Sequence, residues 1–204
     1  RDCPSTGRDP QGCFRISEVM VNTAGNTSNK AGQYIEICNV CTSAQDIGGF
    51  TFTDGDSSGL DTITAVSSSA CTDPNWTCGT SVIPAGKCGV ILDPDYFSPD
   101  NPDTYDFACP GTVILGIASG SALGQGLSAS DPVTLYDDRG TRLTNIQDTY
   151  GTPACTDDWL DCDDDEADCI PFDPDPGRSA HRLDLERPDE VGNWVIGDPS
   201  PGCR

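Results

Sequence analysis

Basic residues are scarce in this chain: Lys and Arg together number 11 against 33 Asp and Glu, a formal net charge of −22. Binding to a phosphate backbone depends on clustered Lys and Arg, so nucleic acid is a poor partner, and anionic membrane surfaces are disfavoured for the same reason. No apolar run approaches the length that crosses a bilayer, and membrane insertion is not expected. The chain begins at Arg1 with neither a methionine nor an apolar leader, as expected of a processed chain. There is one histidine, His181. Ser179 and Asp184 stand near it and invite comparison with a catalytic triad, but in a strand Ser179, His181 and Leu183 share one face, and a structural or exposed histidine is expected. Gly124-Gln-Gly126 is not followed by Lys-Ser, Lys-Thr or a helix, so it is no phosphate loop. No carboxylate pair stands out from the general acidity and no cofactor signature is present. A non-catalytic protein is expected.

What is abundant points to a turn-rich chain of short strands. There are 22 glycines and 16 prolines, with many Ser, Thr, Asp and Asn, and 204 residues suffice for one domain with a real core. Helix should be scarce. Twelve cysteines, an even number, argue for disulfides and an oxidising compartment, hence for secretion to the extracellular space or cell surface. Cys38-Asn-Val-Cys41 has the spacing of a zinc ligand pair, but no second such pair accompanies it.

The central stretch runs from Gly32 to Asp56. In Tyr34-Ile-Glu-Ile-Cys38, Ile35 and Ile37 share one face and Tyr34, Glu36 and Cys38 the other; after Ile47-Gly-Gly, Phe50 and Phe52 alternate with Thr51 and Thr53. The paired glycines suit a bulge or a close approach of two backbones. Upstream, Phe14, Ile16, Glu18 and Met20 fall on one face of a first strand unless a bulge intervenes. Glu18 is then expected at an edge or strand end, with its head in water. Downstream lie Val82-Ile-Pro-Ala-Gly-Lys-Cys-Gly-Val-Ile-Leu92, Leu127 to Asp137, and a close from Gly177-Arg-Ser-Ala-His-Arg-Leu-Asp184 through Asn193-Trp-Val to Pro199-Ser-Pro-Gly202. Val133 to Tyr136 should pair with Arg142 to Ile146 across Asp137 to Gly140.

Six such motifs in this order, spanning Phe14 to Gly202, resemble the lamin tail domain found in many secreted bacterial proteins. Phe50 stands where that family commonly has tryptophan and Gln33 where it commonly has an acid; the cysteines and the late acidic run belong to this chain. The resemblance implies a secreted module used for interaction or assembly. The expected fold is an all-β, immunoglobulin-like β-sandwich, disulfide-rich and with long irregular loops. Its core candidates are Phe14, Ile16, Ile35, Ile37, Phe50, Phe52, Ile91, Leu135 and Trp194. Residues 1–13 form an N-terminal arm, and residues 14–204 form one domain carrying an acidic insert at 155–169.

Within this frame several residues are candidates for sites. Asp161, Asp163, Asp165 and Asp168, pinned by Cys162 and Cys169, could direct carboxylates at one hard cation, for which Ca2+ is the natural choice. Asp54, Asp56 and Asp61 have the composition of a second calcium loop, although Asp-Gly-Asp and Ser-Ser-Gly are also plain hairpin chemistry. Cys71 to Cys78 and Cys155 to Cys162 each enclose six residues with an opening Thr-Asp and a tryptophan. A bridge within each would hold Trp76 or Trp159 at a knuckle, to stack on a sugar, to anchor a partner or to cap its own loop. Cys88 with Cys109 is the preferred pairing outside the knuckles; Cys3 could join Cys13, or either could reach Cys203. Asn26-Thr-Ser and Asn75-Trp-Thr are glycosylation sequons.

Two roles fit these features. One is an extracellular structural or adhesive protein that binds copies of itself or another surface protein or glycan. The other is a carbohydrate- or protein-binding accessory module of a secreted hydrolase system, with Trp76 and Trp159 as its platform.

Overall fold

A computed structural model describes residues 12–24, 30–54, 60–99, 101, 104–107, 109–128, 131–137, 146–151, 174–189 and 191–203. Thirteen strands follow in order: β1 Phe14–Asn22, β2 Tyr34–Asn39, β3 Gln45–Asp46, β4 Thr51–Thr53, β5 Asp61–Ala65, β6 Trp76–Thr77, β7 Val82–Ile83, β8 Cys88–Leu92, β9 Thr112–Ile117, β10 Val133–Tyr136, β11 Ile146–Tyr150, β12 Arg178–Arg182 and β13 Trp194–Gly197. The helices described are short 3-10 turns at Pro94–Phe97, Leu123–Gln125 and Val191–Asn193. The main sheet runs β11-β10-β4-β5-β9-β8-β2-β1-β12-β13, with β6 alongside β9 and β3 paired separately with β7. It curls until β11 comes back against β1, where the Ile16 N–H donates to Asp148 Oδ2 at 2.6 Å. The result is an all-β, disulfide-rich, immunoglobulin-like sandwich in which one bent sheet supplies both layers.

Alternation explains the two cores. Odd positions of β2, β8 and β9 (Ile35, Ile37, Ile91, Val113, Leu115) point inward with Phe14, Ile16, Phe50, Phe52, Leu135 and Trp194, so every expected core residue is buried there. Even positions on the same strands (Tyr34, Val90, Leu92, Ile114) build a second core on the outer face. The proline- and acid-rich link after β8 covers it with Tyr96, Phe97, Tyr105 and Phe107. Gly48 lies where a Cβ would fall 2.6 Å from the Ser81 side-chain Oγ.

Several expectations need correction. β1 shifts register between Ile16 and Glu18, so Phe14, Ile16, Val19 and Val21 face the inner core while Glu18 and Met20 turn outward. Glu18 is not a strand-end residue in water but 2% exposed. β10 does pair with β11, but through Ile146–Tyr150, with Val133 opposite Tyr150 and Tyr136 opposite Ile146.

Among the described residues the disulfides are Cys13–Cys41, Cys38–Cys88, Cys71–Cys78 and Cys109–Cys203. The first knuckle is therefore closed as expected. Cys88 and Cys109 are not partners, because Cys88 stands directly across from Cys38 on the neighbouring strand. Cys13 closes on Cys41 rather than Cys3 or Cys203, and Cys38 and Cys41 turn to different partners instead of sharing a zinc ion. Cys3, Cys155, Cys162 and Cys169 lie outside the described residues. Among the described residues no helix is long and apolar enough to cross a membrane.

Candidate functional site

Among the described residues, a row of reactive side chains lies on the outer face of β2, β1 and β12. The β1 bulge sets Glu18 opposite Glu36 on one side and opposite His181 on the other, so three ionisable residues form a row across three strands. Like charges facing each other across a ladder are unfavourable unless something else compensates. The C-terminal segment supplies it.

In Pro199-Ser-Pro-Gly202 the prolines have no N–H, which leaves Ser200 and Gly202 as alternate donors. Both face the row. Ser200 N–H donates to Glu18 Oε1 at 3.0 Å, Ser200 Oγ donates to Glu18 Oε2 at 3.1 Å, and Gly202 N–H donates to Glu36 Oε2. Gly202 has φ +80° and its Cβ position is occupied by the Thr112 side chain, so glycine is required on both counts. The Cys109–Cys203 bridge then holds the end of the segment in place.

Inside the sheet, Glu18 Oε1 also accepts from Ser179 Oγ at 2.6 Å and from the Tyr34 hydroxyl. Ser17 Oγ donates to Glu36 Oε1. Burial, then the neighbouring Glu18 charge, pushes the Tyr34 phenol well above its ordinary range. A cavity of about 110 Å³ remains between Ser17, Glu18, Glu36, His181, Ser200 and Cys203.

Ser179 Oγ stands 2.9 Å from His181 Nε2, and His181 Nδ1 stands 3.6 Å from Glu18 Oε2. Serine, histidine and an acid are therefore together, with Glu18 in the place the sequence suggested for Asp184. Ser179 Oγ also donates to Glu18 Oε1, and Ser179 is 0% exposed, so its hydroxyl is shut off from the surface. Asp184 is engaged elsewhere, accepting from Glu186 N–H at 3.0 Å and exchanging bonds with Asn193. Through Glu18 and Glu36 the cluster ties the C-terminal segment to β1 and β2. Alternation alone could not reveal it, because the bulge that re-aims Glu18 follows from pairing with β2.

A second buried cluster closes the curl. Asp148 accepts from Ile16 N–H and from the Arg182 guanidinium, and Arg182 lies over the Trp194 ring at 5.7 Å. Asp189 accepts from Trp194 Nε1 at 2.6 Å and Gly151 N–H at 2.7 Å. Burial raises the Asp148 carboxyl despite Arg182, raises Asp189 to about 8, and lowers Arg15 beside them.

The remaining expected sites separate. Asp54 and Asp61 flank the β4–β5 hairpin and meet at one turn: Gly124 N–H donates to Asp61 Oδ2 at 2.7 Å, and a Cβ on Gly124 would overlap the Asp54 carboxylate. Burial raises the Asp61 carboxyl. Asp56, Asp161, Asp163, Asp165, Asp168, Trp159 and Asn26 lie outside the described residues. Trp76 is half-buried. Its ring is packed edge-on against Phe97 at 5.8 Å and Phe107 at 5.2 Å, capping the outer core, because β6 pairs parallel with β9 and draws the knuckle inward. The Asn75 amide donates to Phe107 O at 2.9 Å, so the acceptor atom of that sequon is engaged in the fold.

Among families of known proteins, the one described as Domain of unknown function (DUF8705) matches residues 14–164. That range includes Glu18 and Glu36 and ends before β12, β13 and the C-terminal segment. No curated protein matches the chain.

Proposed function

We propose that this chain, which belongs to the family of Domain of unknown function DUF8705, is a non-catalytic extracellular structural or adhesive module. Its rigid, disulfide-locked sandwich joins copies of itself or another surface component. One observation carries the reading: Glu18 and Glu36, the carboxylates beside Ser179 and His181, are taken up in accepting hydrogen bonds from the chain's own C-terminal segment. The resemblance to the lamin tail domain supports the same role, and the disulfides support an oxidising, extracellular setting.

Calcium belongs to this proposal as a stabiliser. Asp54 and Asp61 offer two carboxylates at one turn, at most four of the roughly six to eight oxygens that the ion takes, so other oxygens must complete the shell. The test combines two measurements on the oxidised protein. Light scattering across concentration, with calcium and then a chelator, should show assemblies that grow with calcium and disperse on its removal. Turnover of a simple ester that disappears in Ser179→Ala would overturn the non-catalytic reading.

A further inference from the structure

β13 ends the main sheet, and among the described residues no strand lies beyond it. The direction of its backbone groups follows from one bond. Leu183 N–H donates to Asn193 C=O at 2.7 Å, and the register continues Arg182 with Trp194, His181 with Val195, and Ala180 with Ile196. Because bonded and non-bonded pairs alternate in an antiparallel ladder, Val195 and Gly197 bond to β12. Trp194 and Ile196 therefore turn their N–H and C=O toward the outer edge, where Trp194 is 6% exposed and the Ile196 C=O accepts from Arg178 Nη2 at 3.5 Å, a contact that an added strand would displace.

The side chains beside that edge are unusual for this molecule. Leu183 is 58% and Val195 45% exposed, two of the three large apolar side chains exposed among the described residues. They are diagonal neighbours on the outer face of the β12–β13 pair. Around them stand three exposed acids, Asp184, Glu186 and Asp198, and two arginines, the exposed Arg187 and Arg178, which pairs with Asp198 at 2.6 Å. An open edge with apolar side chains and an acidic rim is a template for another strand. The net charge of −22 argues against a second copy and for a cationic occupant.

We propose that the β13 edge is a docking strip for an extended, basic segment of a partner polypeptide, which adds as a strand beside Trp194–Gly197. Its apolar side chains cover Val195 and Leu183, and its Lys or Arg side chains meet Asp184 and Glu186. The inference rests on the adhesive reading above and names the surface that would carry it.

The probe is a short labelled peptide alternating lysine and valine, titrated into the intact oxidised protein and read by fluorescence anisotropy. Two changes separate strand addition from simple charge attraction. N-methylation of the peptide amides that face β13 removes backbone donors without changing charge, and Val195→Glu removes the apolar contact while adding attraction. Each should weaken binding at least about tenfold, a difference of about 1.4 kcal/mol. Ile196→Pro should do the same, since proline is tolerated where the N–H faces outward; an unshifted melting midpoint in Val195→Glu covers the case in which that proline disturbs the fold. Equal binding of the methylated peptide, or no binding at all, overturns the proposal. Protein dimers that form without peptide and vanish in Ile196→Pro would also overturn it, in favour of a second copy. None of these outcomes touches the non-catalytic reading, which stands or falls on ester turnover.

Discussion

Glu18 and Asp93 are both carboxylates taken out of water, and they are held differently. Glu18 receives donors from Tyr34, Ser179 and Ser200. Asp93 receives two backbone N–H groups, from Asp95 at 2.9 Å and Leu123 at 3.1 Å, and so fastens two 3-10 turns together. Burial outweighs those bonds and the Lys30 charge, and the Asp93 carboxyl is raised to about 6. The folded chain thus binds this proton more tightly than the unfolded chain, whose aspartates titrate near about 3.9. The contribution favours folding in full below the unfolded value and is lost as pH rises through about 6. In urea unfolding, the stability difference between wild type and Asp93→Asn should shift in favour of the variant as pH goes from about 4 to 7. Asparagine still caps the turn. A difference that does not change with pH would show that the proton is not linked to folding.

The four bridges do unequal work at the scale of elements. Cys71–Cys78 spans a separation of 7 residues, whereas Cys109–Cys203 spans 94 and also secures the segment over Glu18 and Glu36. On the loop-entropy model the short bridge is worth about 2 to 3 kcal/mol and the long one about 4 to 5. Replacing both cysteines of a pair by serine should reproduce that order in chemical denaturation, and the Cys109→Ser, Cys203→Ser protein should also lose hydrogen-exchange protection at Ser200 and Gly202. Equal losses would mean that the segment is held by the carboxylates alone. Element existence was largely readable from the chain, because strict alternation in Tyr34-Ile-Glu-Ile-Cys38 and Phe50-Thr-Phe-Thr53 is a local property. Cysteine pairing was readable only for the Cys71–Cys78 knuckle, whose ends are close whatever the fold; Cys38 meets Cys88 because β2 and β8 are neighbours.

For the whole molecule the excess of acids is the dominant long-range term. With a net charge of −22, the compact state is under self-repulsion that any salt relieves. Sodium chloride should therefore raise the melting midpoint, and calcium chloride at the same ionic strength should raise it further if carboxylates gather the ion. Asp61→Asn should reduce that excess. Identical midpoints in the two salts would reduce calcium to a screening ion.

Composition, net charge and alternation by themselves determined that this chain is acidic, all-β and disulfide-rich, and that Ile35, Ile37, Phe50 and Phe52 enter the inner core. These are local or summed properties, and no folding is needed to read them. The tertiary structure decided which face Glu18 occupies, what the Trp76 ring packs against, which cysteines meet, and that Glu18 and Glu36 receive the C-terminal segment. Each depends on a partner distant in sequence: the bulge against β2, the parallel pairing of β6 with β9, and the return of residues 199–203 over β1. A one-residue slip in pairing reverses every side chain of a strand, so such placements follow from register, which the strand's own residues do not specify.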